Sequence, residues 1–432
     1  MDQAHLDVGA TAWLLTSAAL VLLMTPGVAF FYGGMVRASN VLGTVMQSLM
    51  TIGTVSVIWL LLGFSLAFGR GNGFVGGFGL AGLTDLTAVV PGVHLDGVPV
   101  LAFVVFQMMF AVITPALITG AGAERWRFSA FVFFVALWSL LVYAPIAHWL
   151  FSPLGWASRL GALDFAGGAV VHANAGAAAL VIAALLGRRA GWPTSHHRPH
   201  NLPLMLLGTA LLWFGWFGFN GGSALTANNV GALAVTNTQV AAAAGLMSWA
   251  FAEQIRFRKP TTLGAASGAV AGLVAITPAA GYVTPVSAVL IGVVAGVICH
   301  LAVALKTLFR LDDALDVAAV HLGGGVVGSL AVGLFATSSV NPAASNGLFY
   351  GGGYRLLGVQ ALSVLTVVAY SAVASLLIAG LADRIFGNRI SPRAEGIGMD
   401  LFQHGESAYA IASPQETPVK TSAKAPAVND HG

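Results

Sequence analysis

Two histidines lie inside apolar stretches of this chain, each eight residues after an aspartate. Asp164 precedes His172 and Asp313 precedes His321, so both residue types recur at an interval of 149 positions (164 to 313 and 172 to 321). An ionisable side chain inside a membrane span is costly and usually marks a transport pathway or a proton relay. Its recurrence in two halves of the chain indicates a duplicated transport fold whose site lies where the halves meet.

The two histidines admit three uses: packing with a hydrogen bond to backbone, metal binding, or lining a polar path. Neutral imidazole is a common metal ligand, but no cysteine or carboxylate stands at ligand spacing beside either ring. The sequence therefore predicts no metal site and no cofactor. Recurrence in both halves favours His172 and His321 as residues that line a pore.

The two aspartates have two interpretations. A carboxylate at the start of a helix accepts hydrogen bonds from free N–H groups and suits the helix dipole. We expect Asp313, beside Asp312 and Asp316, to be such a structural cap. For Asp164, capping and attraction of cations at the outer mouth of a pore remain equally open.

Aromatic residues form a third set of candidates. Phe106 and Phe110 are four positions apart, on one face of a predicted helix, while Trp216 and Phe219 precede Ser223 in a glycine-rich turn. An aromatic face attracts a cation, and a hydroxyl can accept its N–H bonds. Together with an aspartate on the same side, these residues suggest a vestibule for a cation.

Composition places the chain in a membrane. Of its 432 residues, 57% are hydrophobic and 8% are charged, against about 25% charged in soluble domains. The mean hydropathy is +0.83. The single cysteine, Cys299, cannot form an intramolecular disulfide.

Eleven stretches are apolar over about the 20 residues that a spanning helix needs. The sixth is short and the tenth is interrupted by glycines. The fold class is therefore an all-α integral membrane protein with eleven transmembrane helices, at 9–32, 41–68, 98–121, 128–150, 165–187, 202–219, 230–252, 263–280, 284–305, 317–337 and 356–382.

The basic residues predict the orientation. With eleven spans, 16 of the 19 Lys and Arg residues fall on the side of the C-terminus, and only Arg70, Arg159 and Arg355 fall on the other. Cytoplasmic loops are enriched in Lys and Arg, so we expect the N-terminus outside and the C-terminus in the cytoplasm. Because each repeat holds five spans, an odd number, the second copy is inverted.

These observations predict two domains. Residues 1–383 form a transmembrane domain, with repeat one at about 9–187, repeat two at about 202–337 and an extra helix at about 356–382. Residues 384–432 form a cytoplasmic tail, in which 384–411 could dock on the membrane domain. From about 413 the tail is rich in Pro, Ala, Ser, Thr and Lys, which predicts disorder.

The sequence does not favour an enzyme. Glycine-rich segments such as HLGGGVVG lack the lysine and the strand–turn–helix setting of a nucleotide site, and no catalytic nucleophile with a paired base appears. We expect neither catalysis nor nucleic-acid binding.

Several long segments resemble the signature motifs of the Amt/Mep/Rh ammonium transporters, most closely the bacterial Amt branch. They occur in the family's order over nearly the whole chain: FFYGGMVR, GAERWRFSAF, PIAHW, GALDFAGGAVVH, PHNLP, WFGFNGGSALTAN, GLVAITPAAGYV, DVAAVH and HGESAY. The resemblance implies a homotrimer of eleven-helix protomers, each with its own pore in the cell membrane.

The resemblance also implies roles for individual residues. His172 and His321 match the twin pore histidines, and Phe110 with Phe219 match the phenylalanine gate, with Phe106 nearby. With Trp216 added from the aromatic set above, the recruitment site would comprise Phe110, Phe151, Asp164, Trp216 and Ser223. Phe151 stands where many members carry tryptophan, so Phe151, Trp149 or Trp156 takes that place here. Residues 395–409 resemble the segment where PII-type signal proteins dock.

The predicted function is therefore ammonium transport for nitrogen uptake. The ion is recruited at an aromatic vestibule, deprotonated near Asp164 and conducted as ammonia past the twin histidines, with or without the proton. Methylammonium would serve as an analogue. Two alternatives remain: an ammonium sensor with a transporter fold, and a channel for another small neutral molecule such as carbon dioxide or urea.

Overall fold

The structure, a computed structural model, describes residues 6–85, 89–193 and 199–409. Within these ranges the chain is helical and forms no β-strand beyond one isolated bridge between Trp126 and Arg389. Ten helices are long and apolar enough to cross a membrane: α1 Val8–Met35, α2 Ala38–Phe68, α3 Val100–Gly122, α4 Phe128–Leu160, α5 Gly168–Leu186, α6 Leu202–Ala224, α7 Asn229–Phe257, α9 Pro285–Leu308, α10 Ala318–Phe335 and α11 Arg355–Phe386. A shorter apolar helix, α8 Thr262–Ile276, lies between α7 and α9.

The eleven predicted spans all correspond to helices, but the short one is the eighth. The prediction placed it at 263–280, whereas α8 ends at Ile276 after 15 residues, about 22 Å at 1.5 Å per residue. Pro278 lacks an N–H group and cannot continue the helix. The turns at 277–281 are buried, and irregular backbone is tolerated at membrane depth where protein surrounds it. The sixth and tenth stretches form full-length spans.

Small residues allow the first helices of the two predicted repeats to pack closely. A Cβ added to Gly208 of α6 would lie 2.2 Å from the backbone nitrogen of Phe31 in α1. A Cβ at Gly34 of α1 would lie 2.5 Å from the backbone nitrogen of Met205. In a membrane the hydrophobic effect does not drive helices together, so association depends on close van der Waals packing. Glycines at the interface allow the helix backbones to approach closely enough for such packing.

A buried ionic cluster joins the loops on one face, which we call the tail side because residues 389–409 lie there. One carboxylate oxygen of Glu124 accepts bonds from the Arg37 backbone N–H at 2.7 Å and from Asn40 at 3.2 Å. Arg189 reaches the other oxygen at 3.4 Å and holds Asp312 through two bonds of 2.9 Å. Burial alone would raise the pKa of Asp312, but the bonds and charge of Arg189 lower it below its usual range.

The C-terminal segment docks on this cluster. A short helix, α12 Pro392–Ile397, buries Glu395, whose carboxylate accepts the Ala190 N–H at 2.7 Å and an Arg389 N–H at 2.8 Å. Further on, the Asp400 carboxylate accepts the Gly43 N–H at 2.8 Å. Residues 389–409 are therefore tied to the first turns of α2 and to the loop after α5. The disorder predicted from about 413 falls outside the described residues.

We expect Glu395→Gln to loosen this docking. The substitution replaces charge-assisted bonds that contribute about 1.5–3 kcal/mol with weaker neutral ones, so amides of residues 389–404 should exchange roughly tenfold faster or more. Hydrogen–deuterium exchange of the detergent-solubilised protein measures this. Arg393→Gln, at an exposed position of the same helix, is the control. Equal protection in both variants would show that Glu395 does not hold the tail.

Candidate functional site

The two histidines that recur in the sequence meet inside the helix bundle. His172 Nδ1 lies 3.2 Å from His321 Nδ1, and the ring planes are inclined by only 21°. Both side chains are at least 95% buried. A neutral imidazole carries one N–H, so one ring donates this bond and the other accepts it. The donor's Nε2 is then a free acceptor and the acceptor's Nε2 carries a hydrogen, which gives the pair one donor and one acceptor.

Both histidines are carried by π-helical turns. His172 lies in Gly168–Ala173 at the start of α5, and His321 lies in Ala318–Leu322 at the start of α10. Such turns insert an extra residue into the helix and are frequent at functional sites. Here each turn shifts a ring off the regular helical face, so that the rings meet where the two halves of the chain pack together.

Asp164 organises the first of these turns. Its carboxylate accepts four backbone N–H bonds, from Gly167 at 3.0 Å, Gly168 at 2.6 Å, Ala169 at 2.9 Å and Val170 at 3.1 Å. The group is 8% exposed. Of the two interpretations that the sequence left open, this geometry is that of a cap. Asp164 therefore fixes the segment that carries His172.

Asp313 occupies the matching place before the second turn. One carboxylate oxygen accepts the Ala318 N–H at 2.7 Å, as expected for a cap, while the other oxygen is buried without a hydrogen-bond partner in the described part of the chain. Burial and the negative charge of Asp316 raise the pKa of Asp313 to about 6. Asp313 therefore has fewer hydrogen bonds to its carboxylate than Asp164 has.

A stack of phenylalanine rings lies next to His172 on the side opposite the tail, which we call the gate side. The rings of Phe110 and Phe219 are 4.2 Å apart and stacked, and Phe106 meets Phe110 edge-on at 5.0 Å. All three side chains are at most 1% exposed. The structure therefore brings together the three residues that the sequence grouped as a gate.

Phe151 and Ser223 lie next to this stack. Phe151 is half-buried and contacts Phe110 edge-on at 6.3 Å, whereas Trp149 packs on Tyr370 and donates its indole N–H to the Phe74 carbonyl. Trp156 packs on Trp149, so Phe151 is the one of the three open aromatic residues that contacts Phe110. The Ser223 hydroxyl, also half-buried, donates to the Phe219 carbonyl at 2.8 Å, which leaves its oxygen as an acceptor.

Trp216 lies deeper than the recruitment site predicted for it. Its ring stacks on His172 at a centroid distance of 5.3 Å, and its indole N–H donates to Thr277 Oγ1 at 2.9 Å. It is 1% exposed. Trp216 and Phe219 are three positions apart on α6, so one ring reaches the histidine while the other reaches Phe110. Trp216 therefore lines the small space beside His172.

The space around the histidines is very small. A void of about 20 Å³ is lined by His172 and His321 together with Trp216, Phe219 and apolar side chains of α1 and α3. A second void of about 20 Å³ continues from His321 towards Met35, Ser267 and Asp316 on the tail side. Each is large enough for about one water-sized molecule, so a hydrated cation does not fit.

Sequence reasoning did not find the tail-side end of this path. Ser267 lies in a run of small residues typical of helix packing, and Asp316 follows two other aspartates. The left-handed backbone of Asp316, with φ of +61°, turns it towards the void, and such a conformation is not readable from residue type. Across the described ranges, no three His, Cys, Asp or Glu residues cluster as metal ligands would.

The whole chain is similar to known proteins. Residues 12–409 match the model of the Ammonium Transporter Family. The "Ammonium transporter" of Mycobacterium tuberculosis is 49% identical, over 95% of this chain and 93% of that protein. The crystal structure of Candida albicans Mep2 matches with a TM-score of 0.87 at 36% identity, covering 97% of this chain and 94% of that one. A structure named "Sensor Amt Protein" matches with a TM-score of 0.83 at 31% identity, covering 92% and 98%.

These similarities confirm the predicted family and the predicted all-helical membrane fold. They also confirm the predicted class, a transport protein with several membrane spans and not an enzyme. The signature segments quoted from the sequence and the helix bundle that carries the twin histidines lead to one assignment. The chain belongs to the Ammonium Transporter Family.

Proposed function

We propose that this protein moves ammonium nitrogen across the membrane as neutral ammonia, through the void that His172 and His321 line. The observation that carries the proposal is the 3.2 Å contact between the two imidazoles inside a space of about 20 Å³. The family assignment and the ammonium transporters among the relatives support the same cargo.

The energetics favour the neutral form. Stripping an intact ion of its water costs tens of kcal/mol in an apolar medium. Removing the proton first is cheaper: with the lysine amine as a stand-in (pKa ~10.4), deprotonation near pH 7 costs roughly 4–5 kcal/mol. Potassium has no proton to lose, so the same void excludes it. The twin histidines offer ammonia one donor and one acceptor along a path that is otherwise apolar.

We assign the remaining residues to successive steps. Phe151 and Ser223 receive ammonium on the gate side, Phe110 and Phe219 part to admit it, and Phe106 supports them. Asp164 acts indirectly, by holding the turn that carries His172, because its carboxylate accepts bonds from four N–H groups. Whether the proton follows is decided by current across reconstituted vesicles when ammonium is added.

For the location, orientation and assembly of the protein, we keep the predictions made from the sequence. We propose the cell membrane, with the tail side in the cytoplasm, two inverted repeats with α11 outside them, and a homotrimer that native mass spectrometry would count. The docked segment 389–409 would meet a PII-type partner, which co-purification would detect.

A sensor is the second candidate. It is favoured by the similarity to the structure named "Sensor Amt Protein" and by the docked tail. Uptake of labelled methylammonium by a transporter-deficient cell separates the two: a sensor alone would leave uptake at the level of the empty cell. If the protein were a channel for carbon dioxide or urea, ammonium would not inhibit the uptake of that molecule.

Replacing both pore histidines by alanine should abolish selective uptake. The double variant removes the polar atoms of the path and opens a cavity that water can enter, so methylammonium uptake should fall at least tenfold or become sensitive to potassium. Vesicle uptake with and without excess potassium measures this. If methylammonium uptake by the double variant is unchanged and excess potassium does not reduce it, the assignment of the pore is refuted.

Asp164→Asn should impair transport strongly although the carboxylate does not contact the path. An amide has one acceptor oxygen, so at least two of the four N–H bonds are lost, at about 1–3 kcal/mol for each buried group left unpaired. We expect a tenfold or greater loss of uptake and a lower Tm. Asp7→Asn is the control, since Asp7 caps α1 through the Ala10 N–H at 2.8 Å, far from the histidines. Equal effects of both variants would contradict the role given to Asp164.

Phe151→Trp should strengthen recruitment. Indole attracts a cation more than a phenyl ring, and an exposed cation–π contact contributes about 0.5–1 kcal/mol. The KM for methylammonium should therefore fall roughly two- to fivefold while kcat stays unchanged. Phe151→Leu, which removes the aromatic face, should raise KM. The same KM in the tryptophan and leucine variants would place recruitment elsewhere.

A further inference from the structure

A much larger cavity lies beside the small void on the tail side of the histidines. The small void next to His321 is lined by Met35, Ser267 and Asp316. The same three residues also line a cavity of about 680 Å³ between α7, α8 and α9. Because the two spaces share these residues, a molecule that left the histidines on the tail side would meet this cavity, which we call the tail-side mouth.

A third histidine lines this mouth. His300, on α9, is 7% exposed, and its ring sits edge-on against Trp249 at 5.4 Å and Phe257 at 6.3 Å. Its Nε2 is buried and has no hydrogen-bond partner in the part of the chain that the structure describes. Leaving a buried polar atom unpaired costs about 1–3 kcal/mol, and a phenylalanine would fill the same space without that cost.

The other ionisable groups of the cavity are engaged or exposed. The Glu253 carboxylate accepts the Thr261 N–H at 2.7 Å and its hydroxyl at 3.1 Å. Lys306 pairs with Asp316. Arg256 is exposed and lies over the Phe257 ring, so solvent screens its charge. From α8, the cavity lining contains no charged side chain among the described residues.

We propose that His300 is the proton-exchange group of the tail-side mouth, where its Nε2 binds ammonium and takes or returns the proton that the pore does not admit. This inference rests on the proposed conduction of neutral ammonia. A small apolar pore requires deprotonation on whichever side ammonium enters, and His300 is the cavity-lining base whose nitrogen is free for it.

The step is balanced. When ammonium enters from this side, one of its N–H bonds breaks and an Nε2–H bond forms, so ammonia moves into the pore and an imidazolium remains. The ring then passes its proton to a water molecule that enters from the cavity. The same events in reverse convert emerging ammonia to ammonium. Buried Glu253 and Trp249, which line the same cavity, stabilise the transient positive charge.

The first test reads the ring directly. In the full-length protein with ¹³C-labelled histidine, the Cε1 resonance that disappears in His300→Gln belongs to His300. We expect its chemical shift to change with pH and with methylammonium chloride but not with sodium chloride. A resonance that ignores both pH and methylammonium would overturn the proposal.

The second test compares two substitutions in vesicles whose orientation is checked by protease digestion of the tail. His300→Phe preserves packing against Trp249 and Phe257, and His300→Gln preserves polarity without titrating. Both should slow methylammonium flux roughly tenfold, at the low end for acid–base groups because water can substitute. Both should also flatten its dependence on tail-side pH. His200→Gln, whose ring bonds the Val36 carbonyl and the Tyr409 hydroxyl outside the cavity, should keep that dependence.

The outcomes separate the two hypotheses. If the unaltered protein carries no methylammonium, the proposed function fails. If it does, and His300→Phe keeps the full dependence on tail-side pH, His300 is a packing residue and only its assignment as the proton-exchange group fails.

Discussion

The contact between His172 and His321 is the interaction on which the rest of this structure depends. Two imidazoles 3.2 Å apart in a bilayer interior keep this contact only if both rings stay neutral and if surrounding residues fix the position of each ring. Two positive rings at that distance would repel each other in a medium that screens little. The helix breaks, the aspartate caps and the stacked rings of Trp216 and Phe219 can all be understood as the support that this pair requires.

The support is unequal on the two sides. Asp164 binds four backbone N–H groups, whereas Asp313 binds fewer and keeps one oxygen unpaired within the described part of the chain. Stacked phenylalanines lie on the gate side, and a cavity of about 680 Å³ lies on the tail side. The path that we propose past the histidines is therefore asymmetric, with a narrow, apolar end at the phenylalanines and a wide end near the docked tail that is lined in part by charged side chains.

Much of this could be predicted from residue type and spacing. Hydropathy located every span, because a run of about twenty apolar residues matches the thickness of a bilayer core and is rare in soluble proteins. The interval of 149 residues paired the histidines that meet. The π-helical turns could not be predicted, because an inserted residue in a helix leaves no compositional trace. The depth of Trp216 and the large cavity beside His300 depend on how helices rotate against each other. Pro278 indicates that α8 ends early, but nothing in the sequence indicates that the turns after α8 are buried.

The single hydrogen between the two Nδ1 atoms has a consequence for how the pore behaves over time. It can belong to either ring, so the pair has two mirror arrangements that differ in which Nε2 is bare. In the transport that we propose, ammonia that passes the pair leaves this arrangement unchanged. A proton relayed through the pair would invert it, and the next proton could cross only after both rings had returned to the first arrangement. The pair would then record whether the last passage carried charge, without movement of any helix.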